Sequence, residues 1–187
     1  MTDGRQTALA PTGRLYRRGM TYLATPAESP LYDTEAPYIP NYLRVFALRP
    51  EAYAAWQQLA GAVSGGMDLR RYELATVVAA KRLGSDYCTL AHSKVLRERF
   101  YDEEQLRSIV ADHHAAGLDP VDVAVMDFAE KVAADPTTVT EADVARLRGH
   151  GLSEADVLQV VLAVCVRRFF SGVLSAVGAD PDPALLP

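Results

Sequence analysis

The sequence predicts an all-α fold of about seven helices, and three observations predict it. From Pro50 onward, apolar residues recur at three- and four-residue steps. Capping residues and glycines bracket each periodic stretch. No Asn-Gly or Asp-Gly hairpin separates alternating strands anywhere in the 187 residues. Pro50 suits a first helical turn, and Tyr53, Trp56, Leu59, Ala60 and Val63 carry the period as far as Gly65 and Gly66. A second helix follows Asp68 as N-cap, carries Leu69, Tyr72, Leu74, Val77 and Val78, and ends near Leu83 and Gly84. The third opens at Ser85 or Asp86 and runs through Cys88, His92 and Val95 to about Phe100. Asp102 with Gln105 marks the start of a fourth, ending near Gly117. Asp119-Pro120 opens a fifth, with Val121, Val125, Phe128, Ala129 and Val132 on one face, closing before Pro136. Thr140 with Asp143 starts a short sixth that stops around Gly149 and Gly151. Ser153 with Asp156 starts the last, through Val160, Val161, Val164 and Phe169 to Gly178. The Val-rich run 157–166 has the composition of a buried strand, but its cap and length favour a helix.

Residues 1–40 read as an extended Pro/Tyr-rich arm, and 41–187 as a single helical domain. Pro11, Pro26, Pro30, Pro37 and Pro40 interrupt any helical period, and six of the nine tyrosines lie at or before Tyr53. Tyr16, Tyr22, Tyr32, Tyr38 and Tyr42 are too apolar for a pure linker, so the arm is expected to lay its rings on the helical body or on a neighbouring subunit. Its first 15 to 20 residues read equally well as a frayed terminus.

Composition narrows the function. The chain is 49% hydrophobic and 23% charged, with a net charge of -5 and no basic cluster, which disfavours a nucleic-acid partner. No run approaches the roughly 18 uninterrupted apolar residues of a membrane span, and the start lacks a signal-peptide layout. Two cysteines, Cys88 and Cys165, make no disulfide framework. A cytoplasmic protein with reduced thiols is expected.

The chemistry concentrates in ELATVVAAKRLGSDYCTLAH, Glu73 to His92. Cys88 falls in the first turn of the third helix, where free backbone N–H groups and the helix dipole favour an anion such as a thiolate. His92, four residues on, shares its face about 6 Å further along. If the second and third helices pack antiparallel about Gly84, position 73 faces roughly position 95, so Glu73 reaches His92 more readily than Cys88. Carboxylate, imidazole and thiol then stand in the order orienter, base and nucleophile. Each also has a plain reading: a small buried hydrophobe for Cys88, and surface polar residues for His92 and Glu73.

From about Pro37 to Pro181 the chain resembles the carboxymuconolactone decarboxylase superfamily, on its alkylhydroperoxidase D-like, peroxidase-related branch. APYIPNYLRVFALRPEAYAAW resembles that branch's lead-in to its first core helix. ELATVVAAKRLGSDYCTLAH resembles its signature of a Glu, a Cys-x-x-Cys pair and a His four residues after the second Cys. VMDFAEKVAADPTTVTEADVARLRGHGLSEADVLQVVLAV resembles its C-terminal helices. The resemblance implies an alkylhydroperoxidase D-like bundle and a proton relay of Glu73, His92 and Cys88, with Ser85 and Tyr87 in support. Ser85 stands where the family has its first cysteine, so no disulfide can close within the pair, and Ser85 suits a helix cap instead.

The leading expectation is a peroxiredoxin-type enzyme that reduces hydroperoxides through Cys88 and is resolved by an external thiol. A decarboxylase or proton-transfer enzyme acting on a small acid is the alternative, as is a non-catalytic oligomeric binding or redox-sensing module. No cofactor is expected. A homo-oligomer (dimer, trimer or hexamer) is implied by the family and by the Ala-, Val- and Leu-rich helices. Cys165, among apolar residues of the last helix, is expected to be buried. The family carries Asn and Arg late in that helix where this chain has RRFFSG, and Arg167 and Arg168 are candidate substitutes for the charge. His113 and His114, near the end of the fourth helix, suggest a metal pair, but spacing offers no third ligand, so no metal is expected. His150 reads as a loop residue.

Overall fold

Eight α-helices and no strand build residues 21–186, the part of the chain that the structure, a computed structural model, describes. They are α1 (Asn41–Phe46), α2 (Pro50–Ser64), α3 (Leu69–Arg82), α4 (Asp86–Arg99), α5 (Glu103–Ala111), α6 (Pro120–Ala134), α7 (Glu141–Gly149) and α8 (Glu154–Ala176). Single 3-10 turns follow α6 at Pro136–Thr138 and close the chain at Pro183–Leu185. The all-α expectation holds, with one helix more than the seven read from periodicity. The additional helix, α1, is only six residues long, too short for a repeat to show.

The caps stand where the side chains put them. Asp68, Ser85, Asp102 and Ser153 each accept a hydrogen bond from the backbone N–H three residues on. Thr140 with Asp143 and Ser153 with Asp156 form reciprocal capping boxes. One boundary differs from expectation. α5 stops at Ala111 rather than near Gly117, because Asp112 turns extended and its Oδ1 accepts from the His114 N–H, so His113 and His114 lie in the turn beyond the helix.

Helix α3 is the central element. Every residue from Tyr72 to Ala80 is buried, and the helix packs against α4, α6 and α8. Such a helix needs apolar side chains on most sides, which Leu74, Ala75 and Val77 to Ala80 supply. Leu74, Val77, Leu96, Ile109, Val125, Met126, Val160 and Val164 fill the main core. Each large side chain so buried contributes about 1.5–3 kcal/mol. At its N-terminal end α3 is tied to α6 by charge: Asp122, fully buried, accepts from Arg70 Nη2 at 2.5 Å and from Arg71 Nε at 2.8 Å.

A second, aromatic cluster covers the other end of the bundle. Phe46, Tyr53, Tyr87, Phe170 and Leu174 surround Cys88, with Tyr42 and Trp56 packed against them. Tyr87 donates to the buried carboxylate of Asp182, which also accepts from the Asn41 N–H at 2.8 Å. This ties α1 and the C-terminal segment to the start of α4.

Residues 21–40 run as turns and irregular chain. Tyr22 N–H and Thr21 Oγ1 both donate to the Val177 carbonyl, at 2.8 and 2.7 Å, and the Tyr22 ring lies across Gly178. Tyr38 is exposed, whereas Tyr42 opens α1 and packs its ring near Tyr53, Tyr87 and Phe170. Tyr16 and the rest of 1–20 lie outside the described residues.

Helix α8 is long and apolar enough to cross a membrane by length and composition alone, but it lines the core through Val157, Val160, Val164, Phe170 and Leu174. Its outer face carries Leu158, Leu162, Cys165 and Phe169, all exposed and spaced as one helical row. Cys165 is therefore not the buried residue expected from its apolar neighbours. In a helix that is apolar almost throughout, composition does not say which side faces out.

Candidate functional site

The α3–α4 hairpin turns at Gly84, whose φ of 67° lies in the left-handed region that suits glycine. This register brings Glu73 of α3 to His92 of α4. Glu73 Oε2 and His92 Nδ1 are 2.5 Å apart, and both residues are buried. Thr76 Oγ1 lies 3.2 Å from the same nitrogen, and Thr76 donates back to the Tyr72 carbonyl at 2.8 Å. Nδ1–H of a neutral imidazole therefore donates to the carboxylate, leaving the Nε2 lone pair as the basic site.

Burial, and then the charge of Arg167, holds the His92 imidazole below the usual histidine range, against the opposing pull of Glu73. The ring is neutral in the fold, while in the unfolded chain it takes up a proton below its ordinary value of 6.5. Stability should thus fall as the pH drops from about 6.5 towards the depressed folded value, by at most about 1.4 kcal/mol per pH unit. Urea unfolding of the wild type and of His92→Gln across pH 5–8 checks this. The wild-type curve should be the steeper below pH 6.5, and parallel curves would refute the assignment.

Cys88 sits two residues inside α4, and Ser85 caps that turn by accepting from the Cys88 N–H at 3.5 Å. The sulfur-bearing residue is 1% exposed, inside the aromatic cluster. It is not enclosed by hydrocarbon alone, because Arg167 reaches it from α8, with Nη1 donating to Sγ at 3.4 Å. Arg167 is itself buried, lies 5.7 Å from the Phe170 ring centroid, and has no carboxylate salt bridge among the described residues. Its Nε has no hydrogen-bond partner among the described residues. Tyr72 is a further neighbour, held above the usual tyrosine range by burial against the opposing pull of Arg167. The Tyr72 ring stands edge-on to His92 at 6.4 Å.

The structure therefore pairs Glu73 with His92 and Ser85 with Cys88 along one hairpin, His92 following Cys88 by one helical turn with no hydrogen bond between them among the described residues. It separates the two arginines: Arg167 faces the sulfur, and Arg168 points outward and donates to the Ala133 carbonyl at 2.6 Å. Tyr87 anchors the start of α4 through Asp182 and does not contact Arg167 or His92 by any hydrogen bond in the described residues. Thr76 and Tyr72 were not legible as site residues, since a Thr and a Tyr inside a helix of core residues carry no signal of their own. The expectation that His113 and His114 lack a third ligand needs correction, because Asp127 of α6 lies 2.9 Å from both rings.

The carboxymuconolactone decarboxylase family model matches residues 50–131, from α2 well into α6, and so includes Glu73, Cys88 and His92. No curated protein matches the chain. Among solved structures, a peroxidase-related protein from Silicibacter sp. superposes with a TM-score of 0.78 at 24% identity, covering 88% of this chain and 93% of that one. The AhpD-core peroxidase-related protein from Ralstonia eutropha gives 0.73 at 24% identity, covering 81% of each chain. The debrominase Bmp8, in complex with 2,3,4-tribromopyrrole, gives 0.70 at 13% identity, covering 79% of this chain and 80% of its own. The central helices of the chain are thus similar to the carboxymuconolactone decarboxylase family, and the described residues share the AhpD-like all-α fold of these structures.

Proposed function

We propose that the protein is a thiol-dependent peroxidase in which Cys88 reduces a small hydroperoxide and a low-molecular-weight thiol restores it. The observation that carries this reading is the buried guanidinium of Arg167 directed at the sulfur. A buried cation without a carboxylate partner is costly, and a thiolate at Cys88 compensates it. His92 Nε2 takes the thiol proton, while Glu73 holds the ring and offsets the charge it acquires.

The thiolate attacks the distal peroxide oxygen. An S–O bond forms, the O–O bond breaks, and the leaving alkoxide receives the proton held on His92. The products are an alcohol and a sulfenic acid on Cys88, the sulfur having lost two electrons to the peroxide. An external thiol then displaces water from the sulfenic acid to give a mixed disulfide. A second thiol releases Cys88 as the free thiol, and the two external thiols leave joined as a disulfide, oxidised by two electrons in all. Ser85 rules out the intramolecular disulfide, so the resolving sulfur comes from outside the Ser85–Cys88 pair. Because Cys88 is almost fully buried, peroxide enters through local opening of the aromatic cluster, which favours small substrates. Self-association through the α8 row of Leu158, Leu162, Cys165 and Phe169 belongs to the same reading, since that row otherwise leaves apolar surface in water.

The test is sulfenic acid trapping at Cys88, located by mass spectrometry after mixing with hydrogen peroxide and small organic hydroperoxides. A Cys165→Ser background removes the exposed second thiol. Adduct at Cys88 is expected, and Arg167→Leu should slow its formation at pH 7 by roughly tenfold or more, the scale of one lost charge-assisted hydrogen bond. No adduct, or an Arg167→Leu rate equal to the parent's, would overturn the reading.

A further inference from the structure

We propose that His113, His114 and Asp127 bind one divalent cation of the zinc class, at a site remote in sequence from the Cys88 hairpin. The turn after α5 presents two consecutive imidazoles, and α6 presents a carboxylate to both. Nε2 of His113 and Nε2 of His114 each lie 2.9 Å from Asp127 Oδ1. One ligand atom from each residue falls within 4.8 Å of the other two. Two imidazoles and a carboxylate are a donor set of borderline hardness, suited to zinc.

Several features prepare the site. His113 and Asp127 are largely enclosed, with side chains 9% and 21% exposed, while the His114 side chain is 57% exposed. Tetrahedral coordination at about 2.1 Å needs donors about 3.4 Å apart, so an ion entering the set spreads both 2.9 Å contacts by about 0.5 Å. The turn is fixed by the bond from the His114 N–H to Asp112 Oδ1 at 3.0 Å. The two rings lie 4.4 Å apart at 30°, so both present themselves to the same side of the turn. A cavity of about 180 Å³ adjoins both histidines, lined also by Asp112, Glu130 and Met126, with room for a water to complete the coordination.

Two cations oppose the ion. Arg146 Nη2 donates to Asp127 Oδ2 at 2.9 Å and competes for the carboxylate. Lys81 also lines the cavity, but its ammonium is engaged by the carbonyls of Val110 and Ala111. Asp112 and Glu130 offset them.

The probe is zinc chloride titrated by calorimetry into untagged protein carrying Cys88→Ser and Cys165→Ser, so that no thiol competes. One ion per chain is expected. Asp127→Asn and His113→Gln should each weaken binding by roughly 10–100-fold or more. Arg146→Gln, which releases the carboxylate, should tighten it. Should His113→Gln fail to fold by circular dichroism, His114→Gln, altered at an exposed ring, takes its place. No one-to-one binding, or binding undiminished by these variants, would overturn the proposal.

Discussion

Replacing Cys88 with Ser should abolish hydroperoxide consumption in the presence of an external thiol, a loss of at least about 10³-fold relative to the parent. A serine hydroxyl cannot give up electrons to an O–O bond, whatever His92 and Glu73 do around it. The substitution is nearly isosteric and Cys88 packs among Tyr87, Phe170 and Leu174, so the fold should survive. Circular dichroism and an unchanged melting profile would confirm that. The same variant divides the two enzymatic readings of this site. A decarboxylation or proton transfer carried by Glu73 and His92 needs no sulfur and would persist in Cys88→Ser. Peroxide turnover that persists would refute the assignment of Cys88 as nucleophile.

Asp122→Ala should lower unfolding stability by about 3 kcal/mol, below the upper range for breaking a fully buried ion pair. The discount arises because the side chains of Arg70 and Arg71 are 29% and 30% exposed and can turn to water once the carboxylate is gone. For a chain of this size the melting temperature should drop by about 6–12 °C. Asp122→Asn, which keeps the shape and one acceptor, should fall between the parent and Asp122→Ala. Denaturant unfolding at pH 7 measures both. A change below about 0.5 kcal/mol would mean that the α3–α6 junction does not depend on this carboxylate. Arg70 also donates to the Tyr101 hydroxyl at 2.8 Å, so the loss should loosen the α4–α5 connection as well.

Helix order and capping were legible because they are local. Asp68, Ser85, Asp102 and Ser153 each accept from a backbone N–H only three residues away, so cap and partner fall within one short stretch of sequence. The Glu73–His92 pairing was legible for a different reason: one glycine fixed the hairpin, and counting outward from it placed Glu73 opposite about position 95, within one turn of His92. Where several answers share one local pattern, sequence reading failed. Asp122 looks like any first-turn acid stabilising a helix dipole, and only the approach of α3 converts it into a buried anchor. Cys165 and Arg167 lie two residues apart in a helix with no polar face, and their burial is the reverse of what side-chain chemistry alone suggests. Asp127 reaches His113 across fourteen residues and a change of direction, which no spacing rule anticipates.

Gly178 fastens the beginning of the described chain to its end. Its φ is 63°, and a methyl group built on its Cα would come within 2.5 Å of the Tyr22 ring. Any other amino acid there would meet two obstacles at once, an unfavourable backbone angle and an occupied space. The position thus works as a keyhole: a side chain inserted at 178 would push the Tyr22 ring aside, while leaving the helices that carry Cys88 in register.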